Sequence, residues 1–187
     1  SHQGSSTFAG NVTANNSSSG GMRIGEAAGT STQSSGSFIT TGFANGLLIL
    51  NNFTQSLASS NGSFNPTTFT SSNTALLGDF SVTTSSGDIT ITNGSFTGAS
   101  TFNSAGGISV TGTCNFSTTS GAALFTKNGG GDNNWTGTVS FGPVTVINND
   151  NNYLALANSA GSVFTYSGSS NFTNTSTGVF YVSHQGS

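Results

Sequence analysis

The chain has 187 residues, only 4% of which are charged, and it carries a net charge of −3 with two basic side chains in all. This charge balance offers no electrostatic attraction for nucleic-acid phosphates, and no apolar run approaches the ~20 residues of a membrane-spanning helix. Strong helix formers are scarce while β-branched residues and Gly are abundant, so the composition also excludes a helical fold.

Short apolar segments next to Gly or Asn recur along the chain, and many alternate apolar with polar residues as half-buried strands do. In chain order they lie at 20–25, 45–52, 73–79, 87–94, 106–112, 121–129, 142–149, 151–158 and 178–183. Phe-centred segments lie between them at 6–15, 36–43, 61–70, 94–104, 113–119 and 169–177. Burying one Phe contributes roughly 1.5–3 kcal/mol. The 15 Phe residues therefore predict an ordered all-β chain with a narrow core, although Ser, Thr, Gly and Asn dominate the composition.

Two all-β architectures fit this pattern. An antiparallel β-sandwich repeat would also give short strands with turn signals every 8–12 residues or so. A parallel β-helix, or β-solenoid, is favoured because the segments are short, the turns are rich in Asn and Gly, and charge is almost absent. Like charges on neighbouring strands destabilise a stack of equivalent coils, so an uncharged surface suits a solenoid.

The pentapeptide SHQGS occupies residues 1–5 and returns at 183–187, an offset of 182 residues. His2 and His184 are the only histidines, and both lie inside this copied segment. We therefore interpret residues 1–187 as a single repeat unit of a tandem array, with 183–187 beginning the next copy. A solenoid needs covered ends, and the next copy would supply that cover. With about eight coils stacked ~4.8 Å apart, a period would advance something near 40 Å.

The acidic residues do not resemble a catalytic site. Glycoside-cleaving enzymes need clustered carboxylates, and among the acids here only Asp79 and Asp88 lie close together in sequence. Both flank strand segments beside Gly, which is a usual place for a turn Asp. We expect no catalytic residues, and a polysaccharide lyase or hydrolase on a β-helix is the weakest functional alternative.

Metal and cofactor sites are equally unsupported. The segments 128–134 and 148–152 contain oxygen ligands that would suit a hard cation such as Ca²⁺, but each occurs once, and solvated turns are the favoured interpretation. His2 and His184 are too isolated for a metal site, and the lone Cys114 excludes an intrachain disulfide. We therefore expect neither metal nor cofactor.

Trp135 is the one candidate for ligand recognition. It is the single Trp and follows the amide-rich segment 132–134. A Trp stacked on a sugar ring, with Asn side chains bonding the hydroxyls, would make the chain a glycan-binding adhesin module. Packing of Trp135 against an apolar face is the favoured interpretation.

The segments 106–112 and 142–149, together with the Phe-centred segments 6–15 and 94–104, resemble the repeat regions of very large secreted surface proteins of gliding bacteria. That group includes the giant chains that build the grappling-hook filaments of predatory filamentous marine bacteria. The resemblance spans the whole chain and implies an extracellular or cell-surface location. It also implies a structural repeat with a mechanical or adhesive role, with parallel copies of itself as partner and with surface structures or glycans of other cells as targets.

Overall fold

The computed structural model describes residues 4–25, 29–57, 60–116, 120–131 and 133–183. These residues form a succession of short strands and bends that winds through eight coils, and they contain no helix. Accordingly, no helix that could cross a membrane is found among them.

The coils stack their strands into three faces, and every coil contributes a strand to each face except the sixth, which contributes an isolated bridge to the third. The first face holds β1 Ser6–Ala9, β4 Ser31–Ser35, β7 Phe53–Gln55, β10 Ala75–Leu76, β13 Ser95–Phe96, β16 Thr113–Phe116, β18 Thr138–Phe141 and β21 Val163–Tyr166. The second face holds β2 Val12–Thr13, β5 Phe38–Ile39, β8 Ser63–Phe64, β11 Phe80–Thr83, β14 Gly98–Ser104, β17 Ser120–Lys127, β19 Val144–Asn148 and β22 Ser170–Asn174. The third face holds β3 Met22–Ile24, β6 Leu47–Asn51, β9 Thr68–Ser72, β12 Ile89–Thr92, β15 Ile108–Thr111, β20 Leu154–Ala155 and β23 Phe180–Tyr181, with Trp135 bridging β15 to the next coil.

Every strand pair among the described residues is parallel. The β-solenoid prediction is therefore confirmed, and the antiparallel sandwich alternative is wrong. Coil length varies along the stack. Asp79 bonds to Ala99 of the next coil across 20 residues, whereas Phe141 bonds to Ser167 across 26 residues. This variation lies in the bends and in β-bulges such as the one between β14 and β17, and it explains why no fixed consensus spacing is visible in the sequence.

The strand predictions are confirmed wherever the structure describes the chain. Each apolar segment and each Phe-centred segment singled out above contains at least one strand. Five strands were not predicted: β4, β7, β11, β18 and β21. Parallel pairing holds the polar β4 and the short β7 in place, whereas β11, β18 and β21 contain the same β-branched and aromatic residues as the predicted strands.

A continuous column of aromatic rings fills the core. Ring contacts run without a gap from Phe38 to Phe180. Phe96, Phe116 and Phe141 stack with centroids 5.8 and 5.5 Å apart on successive coils. Such pairs contribute about 0.5–1.5 kcal/mol beyond their area burial. The core is therefore one uninterrupted unit along the axis.

Asparagine forms the corner between the third and first faces. Asn52, Asn73 and Asn93 have φ values of 50°, 49° and 51°, a left-handed conformation that Asn tolerates better than most side chains. Asn93 Nδ2 donates to Asn73 Oδ1 at 3.1 Å, and Asn93 Oδ1 accepts from Thr113 N at 2.9 Å. Gly112, with φ of 76°, takes over this corner in the next coil. One residue type with one unusual conformation thus turns the chain at the same place in consecutive coils.

Candidate functional surfaces

The acidic residues Asp79 and Asp88 serve as turn caps. Asp79 Oδ1 accepts a hydrogen bond from Ala99 N at 2.8 Å, and Asp88 Oδ1 accepts one from Gly107 N at 2.7 Å. Each carboxylate therefore bonds the backbone of the following coil. The two residues are separated along the chain by β11, a strand roughly 13 Å long. This geometry agrees with the turn interpretation and does not build a carboxylate pair across a glycosidic bond.

The segment 148–152 binds a cation supplied by the protein itself. Lys127 has no exposed side-chain surface, and its Nζ lies 2.7 Å from Asp150 Oδ2 in the next coil. The hydrogen bond from Lys127 lowers the pKa of the Asp150 carboxyl below its ordinary value. Asp150 Oδ2 also accepts from Asn152 N at 2.9 Å. The turn that could have held Ca²⁺ is thus organised around an ammonium group.

Side-chain amides form a ladder along the outer corner between the second and third faces. Asn128 Nδ2 donates to Asn103 Oδ1 at 2.7 Å, and Asn149 Nδ2 donates to Asn128 Oδ1 at 2.9 Å. Thr175 Oγ1 then donates to Asn149 Oδ1 at 2.6 Å. This ladder crosses four coils without a charged group, so it adds polar cohesion that salt does not screen.

A second amide ladder is buried, and nothing in the local sequence pattern indicated it. Gln33 and Gln55 are 1% and 3% exposed. Gln55 Nε2 donates to Gln33 Oε1 at 3.0 Å, and Gln55 Oε1 accepts from Leu77 N at 3.1 Å. Only the spacing of 22 residues between the two Gln could have pointed to the ladder, and coil lengths are not readable from the sequence.

Trp135 is fully buried, so the interpretation of this residue as a sugar-stacking platform is wrong. The indole contacts Phe125 with a centroid distance of 5.0 Å, and Nε1 donates to Ile108 O at 2.7 Å. Both the ring face and its polar atom are therefore occupied within the core. Packing on an apolar face, the favoured interpretation, is confirmed.

A polar cavity of about 430 Å³ lies between the bends of two coils, close in sequence to Trp135. Its walls are almost entirely glycine and amide side chains, with one aromatic ring: Gly130, Gly131, Asn133, Asn134, Asn152, Tyr153 and Asn158. Tyr153 is 50% exposed. Asn133 Oδ1 is buried and has no hydrogen-bond partner. Amide groups and an open phenol ring, with no charged side chain among the described lining residues, have the chemistry that recognises hydroxyl-rich ligands.

Several sequence predictions concern residues outside the described ranges. His2, His184 and Asp132 are among them, as is the copied pentapeptide apart from Gly4, Ser5 and Ser183. Within the described ranges, no group of three or more His, Cys, Asp or Glu side chains could hold a metal ion. Cys114 is buried, and burial raises the pKa of its thiol.

Comparison with protein-family models, with curated protein sequences and with solved structures finds no match to this chain.

Proposed function

We propose that this chain is a structural repeat of an extracellular bacterial filament or surface fibre, with a mechanical or adhesive role in attachment or prey capture and without catalysis. The observation that supports this function is the unbroken column of core rings from Phe38 to Phe180. Opening the column at any level requires separating stacked rings and breaking parallel strand pairs on three faces together. A rod with this property transmits force along its whole length.

The surface suits side-by-side packing of many copies. Outward positions are dominated by Thr, Ser and Asn, as in β12, whose Thr92 Oγ1 lies 3.0 Å from Thr111 Oγ1 of the next coil. With two basic and five acidic residues in the chain, neighbouring rods experience little repulsion. Lateral assembly of parallel copies would therefore depend weakly on ionic strength, which suits a fibre outside the cell.

The same chain would recur end to end with a period of 182 residues. The returned pentapeptide supports this array, and so does the quasi-one-dimensional stack, in which each coil contacts only its neighbours. The resemblance to giant surface proteins of gliding bacteria points to the same organisation.

Immunogold electron microscopy tests the function directly. Antibodies raised against the folded chain should decorate filaments on the surface of intact producing cells, and isolated filaments should diffract with an axial spacing of about 4.8 Å. Labelling confined to the cell interior would contradict the proposal. Turnover of any polysaccharide in a substrate panel by the purified chain would contradict its non-catalytic part.

A second candidate function is glycan binding at the cavity beside Tyr153. The specific observation is the combination of an exposed phenol ring with the unpartnered carbonyl oxygen of Asn133. A pyranose could place its apolar face on the ring of Tyr153 while its hydroxyls bond to amides of Asn134 and Asn152. This site would give the filament a means of gripping the glycans of another cell.

A glycan array separates this adhesin function from the purely mechanical one. Retention of the chain on any glycan should be lost in Tyr153→Ala, whereas Leu57→Ala, which also removes an exposed apolar side chain, should bind unchanged. Equal retention of both variants, or no retention of the wild-type chain, would rule the glycan site out.

A further inference from the structure

The eighth coil leaves core side chains open on its outer side. Val182 lies two positions after Phe180 and therefore shares its inward side, and it is 41% exposed. The inward rings of Phe164 and Phe172 pack against the core only from the side of the seventh coil and are partly buried. Such an apolar face on an otherwise polar rod is a contact surface.

The backbone of this coil is open on the same side. Val163 N donates to Gly137 O at 2.8 Å, and Ser167 N donates to Phe141 O at 2.9 Å, so both point back to the seventh coil. In a parallel strand, alternate residues direct their N–H and C=O groups to opposite neighbours. The N–H of Phe164 is therefore directed away from the stack, where it is ready to pair with a further strand.

The first coil offers the complementary edge. Ser6 N donates to Thr30 O of the second coil at 3.2 Å. By the same alternation, the N–H of Thr7 is directed away from the stack. Partly buried apolar side chains of this coil, such as Phe8 and Ile24, also pack on the core from one side. The two ends of the rod thus carry matching halves of a parallel strand pair.

We infer that the first coil of the following copy docks on the eighth coil in one uniform register, with its Ser6 beside Phe164, its Ala14 beside Phe172 and its Met22 beside Phe180. This inference depends on the proposed tandem array. With a period of 182 residues, the same length of chain separates the two members of each pair. The three pairs lie on the first, second and third faces in turn.

Strand pairing supports this register in three ways. It brings inward positions over inward positions on all three faces at once, as burial of one side of each strand requires. It also places the N–H of Phe164 beside the C=O of Ser5, and the C=O of Phe164 beside the N–H of Thr7. All four groups are directed away from their own stacks. The resulting coil is longer than the 20 residues from Asp79 to Ala99 and shorter than the 26 residues from Phe141 to Ser167, so it falls within the range of the stack.

A matching pair of turns supports the same register independently. It places turn 16–20 of the next copy directly over turn 174–178, and both have the sequence pattern Asn-x-Ser-x-Gly. In each turn the Asn amide donates to the Gly carbonyl, at 2.8 and 2.6 Å, and the Ser hydroxyl donates to Asn Oδ1 at 3.0 Å. The Gly N–H donates to the Ser Oγ at 3.3 Å in both. The joint is therefore another coil of the same kind, and the rod continues without a break.

A two-copy chain tests the register. In it, residues 1–182 precede a second full copy, Thr165→Cys is placed in the first copy and Thr7→Cys in the second. Both Thr side chains are exposed, and the register pairs them on adjacent strands. Neighbouring strands lie about 4.8 Å apart, which allows a disulfide. The buried Cys114 is left in place.

Oxidation should close this pair at least roughly tenfold faster than the control pair Thr165→Cys and Thr13→Cys, because Thr13 lies on the second face although it follows Thr7 by only six residues. Val182→Lys in the first copy should slow the closure, since it places an ammonium group where Ile24 of the next copy would pack. Equal rates for the two pairs, or closure of neither, would overturn the inferred joint. Circular dichroism of each variant confirms that the coils themselves remain folded.

The two failures are distinguishable. The cross-linking experiment uses purified protein, so its failure would leave the surface labelling of cells unaffected. Absence of labelled filaments would contradict the proposed function even if the joint formed.

Discussion

The ion pair between Lys127 and Asp150 gives the sharpest test of how this rod tolerates charge. Lys127 ends β17 with no exposed side-chain surface, and Asp150 lies in the bend after β19 with 17% of its side chain exposed. Removal of one partner from a buried pair costs about 3–5 kcal/mol, because the other charge stays buried without compensation. Asp150→Asn should therefore lower the free energy of unfolding by about 3 kcal/mol, the lower end of that range, since Asp150 itself reaches water.

The double variant Lys127→Met and Asp150→Asn serves as the control. It removes both charges and keeps the volume, so its stability should return to near that of the wild-type chain. The assay is urea unfolding followed by the fluorescence of Trp135, which is buried in the same part of the stack. A loss below about 1 kcal/mol in Asp150→Asn, or a double variant as unstable as the single one, would refute the reasoning, because an exposed pair costs no more than that.

The pair also predicts an acid transition. The folded-state pKa of Asp150 is lowered by the hydrogen bond from Lys127, so its contribution is present above the ordinary pKa of 3.8. That contribution is lost as the pH falls through the folded-state value. The wild-type chain should therefore lose more stability below about pH 4 than the double variant does. Parallel pH profiles for the two proteins would contradict this assignment.

Three further predictions concern the core, the corner and the alkaline limit. Phe102→Ala should lower the free energy of unfolding in urea by about 3–5 kcal/mol, because it opens a cavity beside four other rings. Leu57→Ala, at an exposed position, should change it by less than about 0.5 kcal/mol. Asn93→Ala should lower the free energy of unfolding by about 1–2 kcal/mol, because Ala is strained at the positive φ of this residue, and Asn93→Gly should lower it by less. Equal melting temperatures of the two variants would contradict a conformational cause. Burial raises the pKa of Tyr166 to about 12, so the stability that its neutral phenol contributes is present below about pH 10 and is lost as the pH rises to about 12. Tyr166→Phe should remove that loss. At neutral pH the same variant should not destabilise the chain, because the Tyr166 hydroxyl has no hydrogen-bond partner. An alkaline transition retained by this variant would count against the assignment.

The strands were largely predictable because their signal is local. In β12, Ile89 and Ile91 face inward while Thr90 and Thr92 face outward, and this alternation is written in four consecutive residues. The Phe-centred segments carried the same information, so most of the core and the parallel stack could be inferred together. The turn role of Asp79 and Asp88 was also local, since each lies beside Gly at the end of a strand segment.

The buried polar groups were not predictable, because each depends on a partner in another coil. Gln33 and Gln55 are 22 residues apart, and Lys127 and Asp150 are 23 apart. Polar residues at such positions normally predict an exposed surface. Their partners become visible only when the length of every bend is known, and those lengths vary from coil to coil.

The sequence by itself determined the all-β composition, the inward and outward alternation of the strands and the nearly uncharged surface, since propensity, pattern and charge act over a few neighbouring residues. The tertiary structure alone decided which coil lies above which. It thereby placed Trp135 inside the core, joined Lys127 to Asp150 and set the edges of the first and eighth coils. The physical reason is that stacking couples residues about 20–26 positions apart through bends of irregular length, and no local preference encodes that distance.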